Sequence, residues 1–75
     1  MEIDRFDRQI LQLLQEDGRI SNQDLADRIG LSASPCLRRV RALEEAKIIT
    51  GYRALLNAKA LGYTLMALIY ISMDK

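Results

Sequence analysis

The chain has 75 residues with 49 % apolar content, one cysteine, no histidine and a formal net charge of +1, which makes a single domain too small to bury more than about 60–65 % of its unfolded surface. These numbers argue against a disordered chain; the lack of histidine excludes a His-based triad or an imidazole metal site, the lone Cys36 makes no internal disulfide and fits a reducing cytoplasm, and no apolar run approaches the ~20 residues of a membrane span. The charge is unevenly placed: residues 1–27 carry Arg5, Arg8 and Arg19 against seven acids (−4), and residues 28–53 carry Arg28, Arg38, Arg39, Arg41, Lys47 and Arg53 against Glu44 and Glu45 (+4), a split that marks one face for a polyanion unless it is chance.

The first predicted helix runs from Asp4 to about Asp17. Ile3, Phe6, Ile10, Leu11, Leu13 and Leu14 recur at three- and four-residue spacing and give one apolar stripe. Asp4 suits an N-cap, Asp7 adds negative charge to the first turn, and Gly18 is expected to end the helix in the left-handed conformation. The acids Asp4, Asp7, Glu16 and Asp17 are expected on a solvated face. There is no signal-peptide apolar core here and no Gly-rich phosphate loop anywhere.

The second helix opens at Ser21, with Asp24 three residues on as in a capping box. Leu25, Ala26 and Ile29 face inward. Ala26 is small enough for another helix to cross closely, and Gly30 permits the sharp turn. The third helix opens at Ser32, with Pro35 in its first turn, where a missing N–H costs little. Ala33, Cys36, Leu37, Val40 and Leu43 share one side at 100° per residue. Arg38 then points away from that stripe, with Ser34 and Arg41 on one flank and Arg39 on the other. Two short helices around a Gly-containing turn, the second rich in arginine, have the form of a helix-turn-helix. The expected core is Ile10, Leu13, Leu14, Leu25, Ile29, Leu37, Val40 and Leu43, and Cys36 is expected as a buried small thiol.

Beyond Ala46 the period changes. Ile48 and Ile49 are β-branched, Thr50 and Gly51 are turn-like, and residues 52–56 alternate loosely, which predicts a β-hairpin wing. Residues 58–62 form a short linker with one helical turn. Residues 64–73, TLMALIYISM, predict a strand with Leu65, Ala67, Ile69, Ile71 and Met73 on one face and Met66, Leu68 and Tyr70 on the other. Both faces are apolar, so such a strand requires cover on two sides. The fold class expected is mainly α: a winged helix-turn-helix of three helices plus a hairpin wing over residues 1–57, followed by one long strand within 63–75.

The stretches IDRFDRQILQLLQEDGRIS, DLADRIGLS and SPCLRRVRALEEAKIITGYRALLN resemble the N-terminal part of Lrp/AsnC (feast/famine) transcriptional regulators over residues 3–57. Residues 61–73 resemble the first strand of that family's ferredoxin-like effector and oligomerisation domain. The resemblance implies a truncated or naturally shortened form without the amino-acid effector site, which would exist only in a full-length form. It also implies a regulator of the bacterial or archaeal nucleoid, not an enzyme, with no cofactor and no membrane partner.

Candidate DNA contacts follow from both readings. Arg38 is first choice for a base contact, since arginine reads guanine bidentately; Arg39 and Arg41 are expected on phosphates. Ser32, Ser34 and Pro35 open the third helix, where N–H groups and the dipole attract phosphate, and Ser32 is expected chiefly as a cap. Ser21 and Asn22 open the helix that crosses the backbone in such motifs. Arg53, with Tyr52, could place the wing on phosphate, or Tyr52 packs beneath the hairpin. The competing reading makes the arginines a solvated face paired with Glu44 or Glu45 and the chain a winged-helix protein-interaction module. The recognition helix is taken as residues 33–46, the partner as double-stranded DNA, and the assembly as a homodimer through Leu65, Leu68, Ile69, Tyr70 and Ile71.

Overall fold

The computed structural model describes residues 1–62, which form three helices, α1 (Arg5–Glu16), α2 (Asn22–Ile29) and α3 (Ala33–Glu45), and one helical turn over 58–62. The expected strand at 64–73 and its interface residues lie outside the described residues.

Helix α1 begins with a complete capping box. The Asp4 carboxylate accepts from the Asp7 N–H at 2.9 Å and the Asp7 carboxylate accepts from the Asp4 N–H at 3.3 Å, so two donors without helical partners are satisfied reciprocally. The helix does not end as the glycine suggested. Asp17 is the C-cap in an extended conformation, and Gly18 is absent from the positive-φ residues. The turn is held by Asp17 instead: its side chain accepts from the Arg19 N–H at 2.9 Å, and its carbonyl accepts from the Ile20 N–H at 3.3 Å. This is an Asx-type turn, in which aspartate supplies the geometry that glycine was expected to supply.

Ser21 caps α2 by accepting from the Asp24 N–H at 3.1 Å. Gly30 ends α2 at φ 78°, ψ 29°, and both Gly30 and Leu31 N–H groups return to the Ala26 carbonyl, which is left-handed helix termination. Leu31 and Ser32 complete the turn into α3. Ala26 is fully buried, consistent with its role as the small residue at a helix crossing.

Helix α3 ends in a Schellman motif. Lys47 takes φ 64°; its N–H reaches the Glu44 carbonyl and the Ile48 N–H reaches the Leu43 carbonyl, at 3.0 and 3.1 Å. Ile49, whose N–H also reaches Leu43, packs on the core. This winding is why no hairpin forms among the described residues. A hairpin needs two extended runs, and Ile48 and Ile49 are committed to closing α3, so residues 50–57 run on without a partner strand among the described residues. Asn57 then opens the 58–62 turn by accepting from the Ala60 N–H at 3.1 Å.

The core is Ile10, Leu25, Ala26, Ile29, Cys36 and Leu43, with Leu13, Leu14, Val40, Ile3, Phe6 and Ile49 partly buried against it. Leu37, expected in the core, is 37 % exposed. It sits at the edge of the apolar stripe, beside a groove shared with Leu14, Ile20, Val40 and Tyr52, and the hairpin expected nearby is not there to cover it.

Candidate nucleic-acid interface

Helix α3 presents two different flanks. Cys36 and Leu43 are buried, which fixes the rotation of the helix, and Ser34, Arg38 and Arg41 consequently project to solvent. No ion pair within the described residues involves Arg38 or Arg41, so the pairing with Glu44 or Glu45 does not form. Glu44 accepts instead from the Tyr52 hydroxyl at 2.7 Å. Tyr52 thus ties the segment after α3 to the helix itself, and burial, reinforced by the Glu44 carboxylate, pushes its hydroxyl pKa up to about 12.

Arg39 occupies the other flank and does not project freely. Its Nη1 donates to Asp4 at 2.6 Å and to Asp7 at 3.2 Å, and its guanidinium lies 5.0 Å from the centre of the Phe6 ring. In the DNA-free chain Arg39 is thus engaged by Asp4, Asp7 and Phe6. The same observation corrects the reading of Asp7, which is 3 % exposed and not on a solvated face. The Asp4 carboxyl is held below its usual range by the Asp7 N–H first and Arg39 second. Local sequence carries a signal for the Asp4–Asp7 box, but the link to a residue 32 positions away has none.

The turn between α2 and α3 is pinned by Asn22, whose Nδ2 donates to the Ala33 carbonyl at 2.8 Å. An oxygen facing that carbonyl would be repelled, so the amide orientation is fixed, and its Oδ1 is buried with no partner. Asn22 thus spends one of its two amide N–H donors on pinning the turn. Ser21 is likewise engaged as the α2 cap. Ser32 stands at the N-cap of α3 but its side chain caps nothing. The cause is Pro35: it occupies the third helical position, whose N–H an N-cap hydroxyl would use. The Ser32 hydroxyl therefore stays exposed beside Ser34. Pro35 is half-buried and lines a shallow depression with Met1, Leu31, Arg38 and Arg39. Arg53 is exposed beyond the α3 end. Cys36 is fully buried and its thiol pKa is raised by burial, as a packing residue requires. No group of three potential metal ligands occurs among the described residues.

The surface therefore brings together Ser32, Ser34, Arg38 and Arg41 on one exposed side of α3, while Arg39 and Asn22 hold internal partners. The chain is similar to several known proteins. The winged helix-turn-helix DNA-binding family matches residues 3–50. The chain is 60 % identical over 73 residues to the leucine-responsive regulatory protein of Rhizobium meliloti, spanning 97 % of this chain and 47 % of that one. It is 50 % identical over 74 residues to the leucine-responsive regulatory protein of Escherichia coli, spanning 99 % and 45 %. The chain thus spans about half the length of the curated relatives it matches. Among solved structures, a transcriptional regulator of Neisseria meningitidis in complex with L-Met superposes with a TM-score of 0.78 at 48 % identity, covering 80 % of this chain and 39 % of that one. AsnC of E. coli superposes with a TM-score of 0.71 at 38 % identity, covering 84 % and 42 %. The chain belongs to the Lrp/AsnC family of winged helix-turn-helix DNA-binding proteins and corresponds to the N-terminal part of those regulators.

Proposed function

We propose that the chain is a sequence-specific double-stranded-DNA-binding module of a transcriptional regulator, with α3 as the recognition helix in the major groove. The observation that carries this is the exposed Ser34–Arg38–Arg41 side of α3, whose arginines have no carboxylate partner among the described residues. Arg38, opposite the buried Cys36–Leu43 side, reads a base edge. Arg41, Ser34 and the unused Ser32 hydroxyl meet phosphates around the helix N-terminus and flank; Pro35, Ser21 and Arg53 border the same duplex. The test is binding to a duplex selected from a random pool, followed against salt. Affinity should fall steeply with salt, Arg38→Ala should cost roughly 1–3 kcal/mol on the selected duplex and narrow the gap to random DNA, and Arg41→Ala should weaken all sequences and lower the salt slope by about one unit. Salt-independent or absent binding would refute the reading.

A homodimer is the second part of the proposal. It is favoured by the exposed apolar side chains Ile48, Tyr52, Leu55, Leu56 and Leu61, of which Leu55 is 98 % exposed, and by the need to place two recognition helices about 34 Å apart on one duplex. The two apolar faces expected for residues 64–73, with Leu65, Leu68, Ile69, Tyr70 and Ile71, would be covered between copies. Sedimentation of the chain should give a dimer at micromolar concentration, and lysine at Leu68 and Tyr70 should give monomers that bind single half-sites weakly. A monomeric unmodified chain refutes this assembly.

A further inference from the structure

We propose that Asp4, Asp7 and Arg39 form a clamp that sets the rotation of α3 against α1, so that Arg39 is a positioning residue for Arg38 and not itself a DNA contact. The proposal rests on the DNA-binding reading above. All four carboxylate oxygens of the clamp are in use. Asp4 Oδ1 accepts the Asp7 N–H and Asp4 Oδ2 accepts Arg39; Asp7 Oδ2 accepts the Asp4 N–H and Asp7 Oδ1 accepts Arg39. The capping box therefore locks the two carboxylates to each other before they meet the guanidinium, and Phe6 underlies it at 5.0 Å. A carboxylate as buried as Asp7, at 3 % exposure, requires such a partner, because leaving it unpaired carries the desolvation cost of a bare charge.

Two carboxylates face the Arg39 guanidinium and offset its charge, so Arg39 is a weaker phosphate ligand than a free arginine even though its side chain keeps 31 % exposure. The clamp joins the first turn of α1 to the middle of α3, one residue from Arg38. A rotation of α3 by about 20° moves side-chain atoms at about 6 Å radius by roughly 2 Å. Hydrogen bonds to a base edge tolerate only about 0.5 Å between donor and acceptor. Holding that rotation is thus a specificity function, separable from affinity for phosphate.

The test uses the whole chain, fluorescence anisotropy, the selected duplex and a random duplex, at several salt concentrations. Arg39→Gln should lower affinity for the selected duplex about tenfold, leave affinity for random DNA within about twofold and leave the salt slope unchanged, with partial rescue by Arg39→Lys. Asp7→Asn, which removes a charge that repels DNA, should nonetheless lower selected-duplex affinity. The decisive readout is a double-mutant cycle: once Arg38 is alanine, Arg39→Gln should cost little more on the selected duplex. Should Arg39→Gln fail to fold by circular dichroism, Asp4→Asn, at a half-exposed site, enters the same cycle. Additive losses with Arg38→Ala, or a salt slope reduced by about one unit, make Arg39 a phosphate contact and overturn the proposal, as does an unchanged preference for the selected duplex. A wild-type chain that binds neither duplex overturns this inference together with the DNA-binding reading, which the salt titration of wild type alone reveals.

Discussion

Replacing Gly30 by alanine should destabilise the fold by about 1 kcal/mol, and replacing Gly18 should not. An L-residue in the left-handed region costs about 1–2 kcal/mol, and the loss of unfolded-chain freedom on removing a glycine returns about 0.4–1 kcal/mol. At Gly30, φ is 78° and an added Cβ meets nothing within 4 Å, so the cost is backbone strain with no collision. At Gly18 no positive φ is present, and an added Cβ stands 3.8 Å from the Leu14 carbonyl and 4.0 Å from Tyr52, ordinary contacts. Gly18→Ala is therefore neutral or stabilising by up to about 1 kcal/mol. For a domain of this size 1 kcal/mol shifts Tm by about 4–8 °C. Urea unfolding followed by circular dichroism, at one protein concentration because assembly shifts the midpoint, measures both. Equal midpoints for the two variants would refute the assignment of the α2–α3 turn to left-handed termination.

Leu43→Ala should cost about 2–5 kcal/mol, since the side chain is fully buried between helices, whereas Leu37→Ala, at 37 % exposure, should cost under about 1 kcal/mol; comparable losses in urea unfolding would contradict the described edge position of Leu37. For Tyr52 the folded hydroxyl pKa, about 12, lies above the ordinary tyrosine value of 10.0. Its contribution to stability is present below about pH 10 and disappears as pH rises toward 12. Tyrosinate absorbance of wild type minus Tyr52→Phe should show a step with its midpoint near pH 12, and a midpoint near pH 10 would contradict the Glu44 bond.

The helices were legible because their signals are local. Asp4, Ser21 and Ser32 mark the starts, and the three- and four-residue apolar spacing marks the buried sides. What was not legible depends on partners distant in sequence. Asp7 reads as a surface acid until Arg39 is folded against it, and the bond from Asn22 to the Ala33 carbonyl has no local sequence signal. Helix α1 ends where expected, but the turn is made by Asp17 and not by a left-handed Gly18, because both residues suit a turn and sequence does not rank them. The hairpin was expected because Ile48 and Ile49 have strand character, but Lys47 adopts a left-handed turn without being glycine, and tertiary packing of Ile49 overrides that local preference. On α3, Arg38 and Arg39 are adjacent identical residues. Only the angle of 100° between them decides that one meets solvent and the other a carboxylate pair.

The closure of α3 also has a mechanical consequence. The chain leaving the helix is fastened twice: by the backbone hydrogen bonds that wind residues 47–49 back onto Leu43 and Glu44, and by the Tyr52 hydroxyl on the Glu44 side chain. Residues 43–52 are therefore held to the last turn of α3 at two points, so a displacement of the chain at residue 52 acts on Glu44 directly. Breaking one hydroxyl–carboxylate bond would release one of these points without altering any residue on the arginine face.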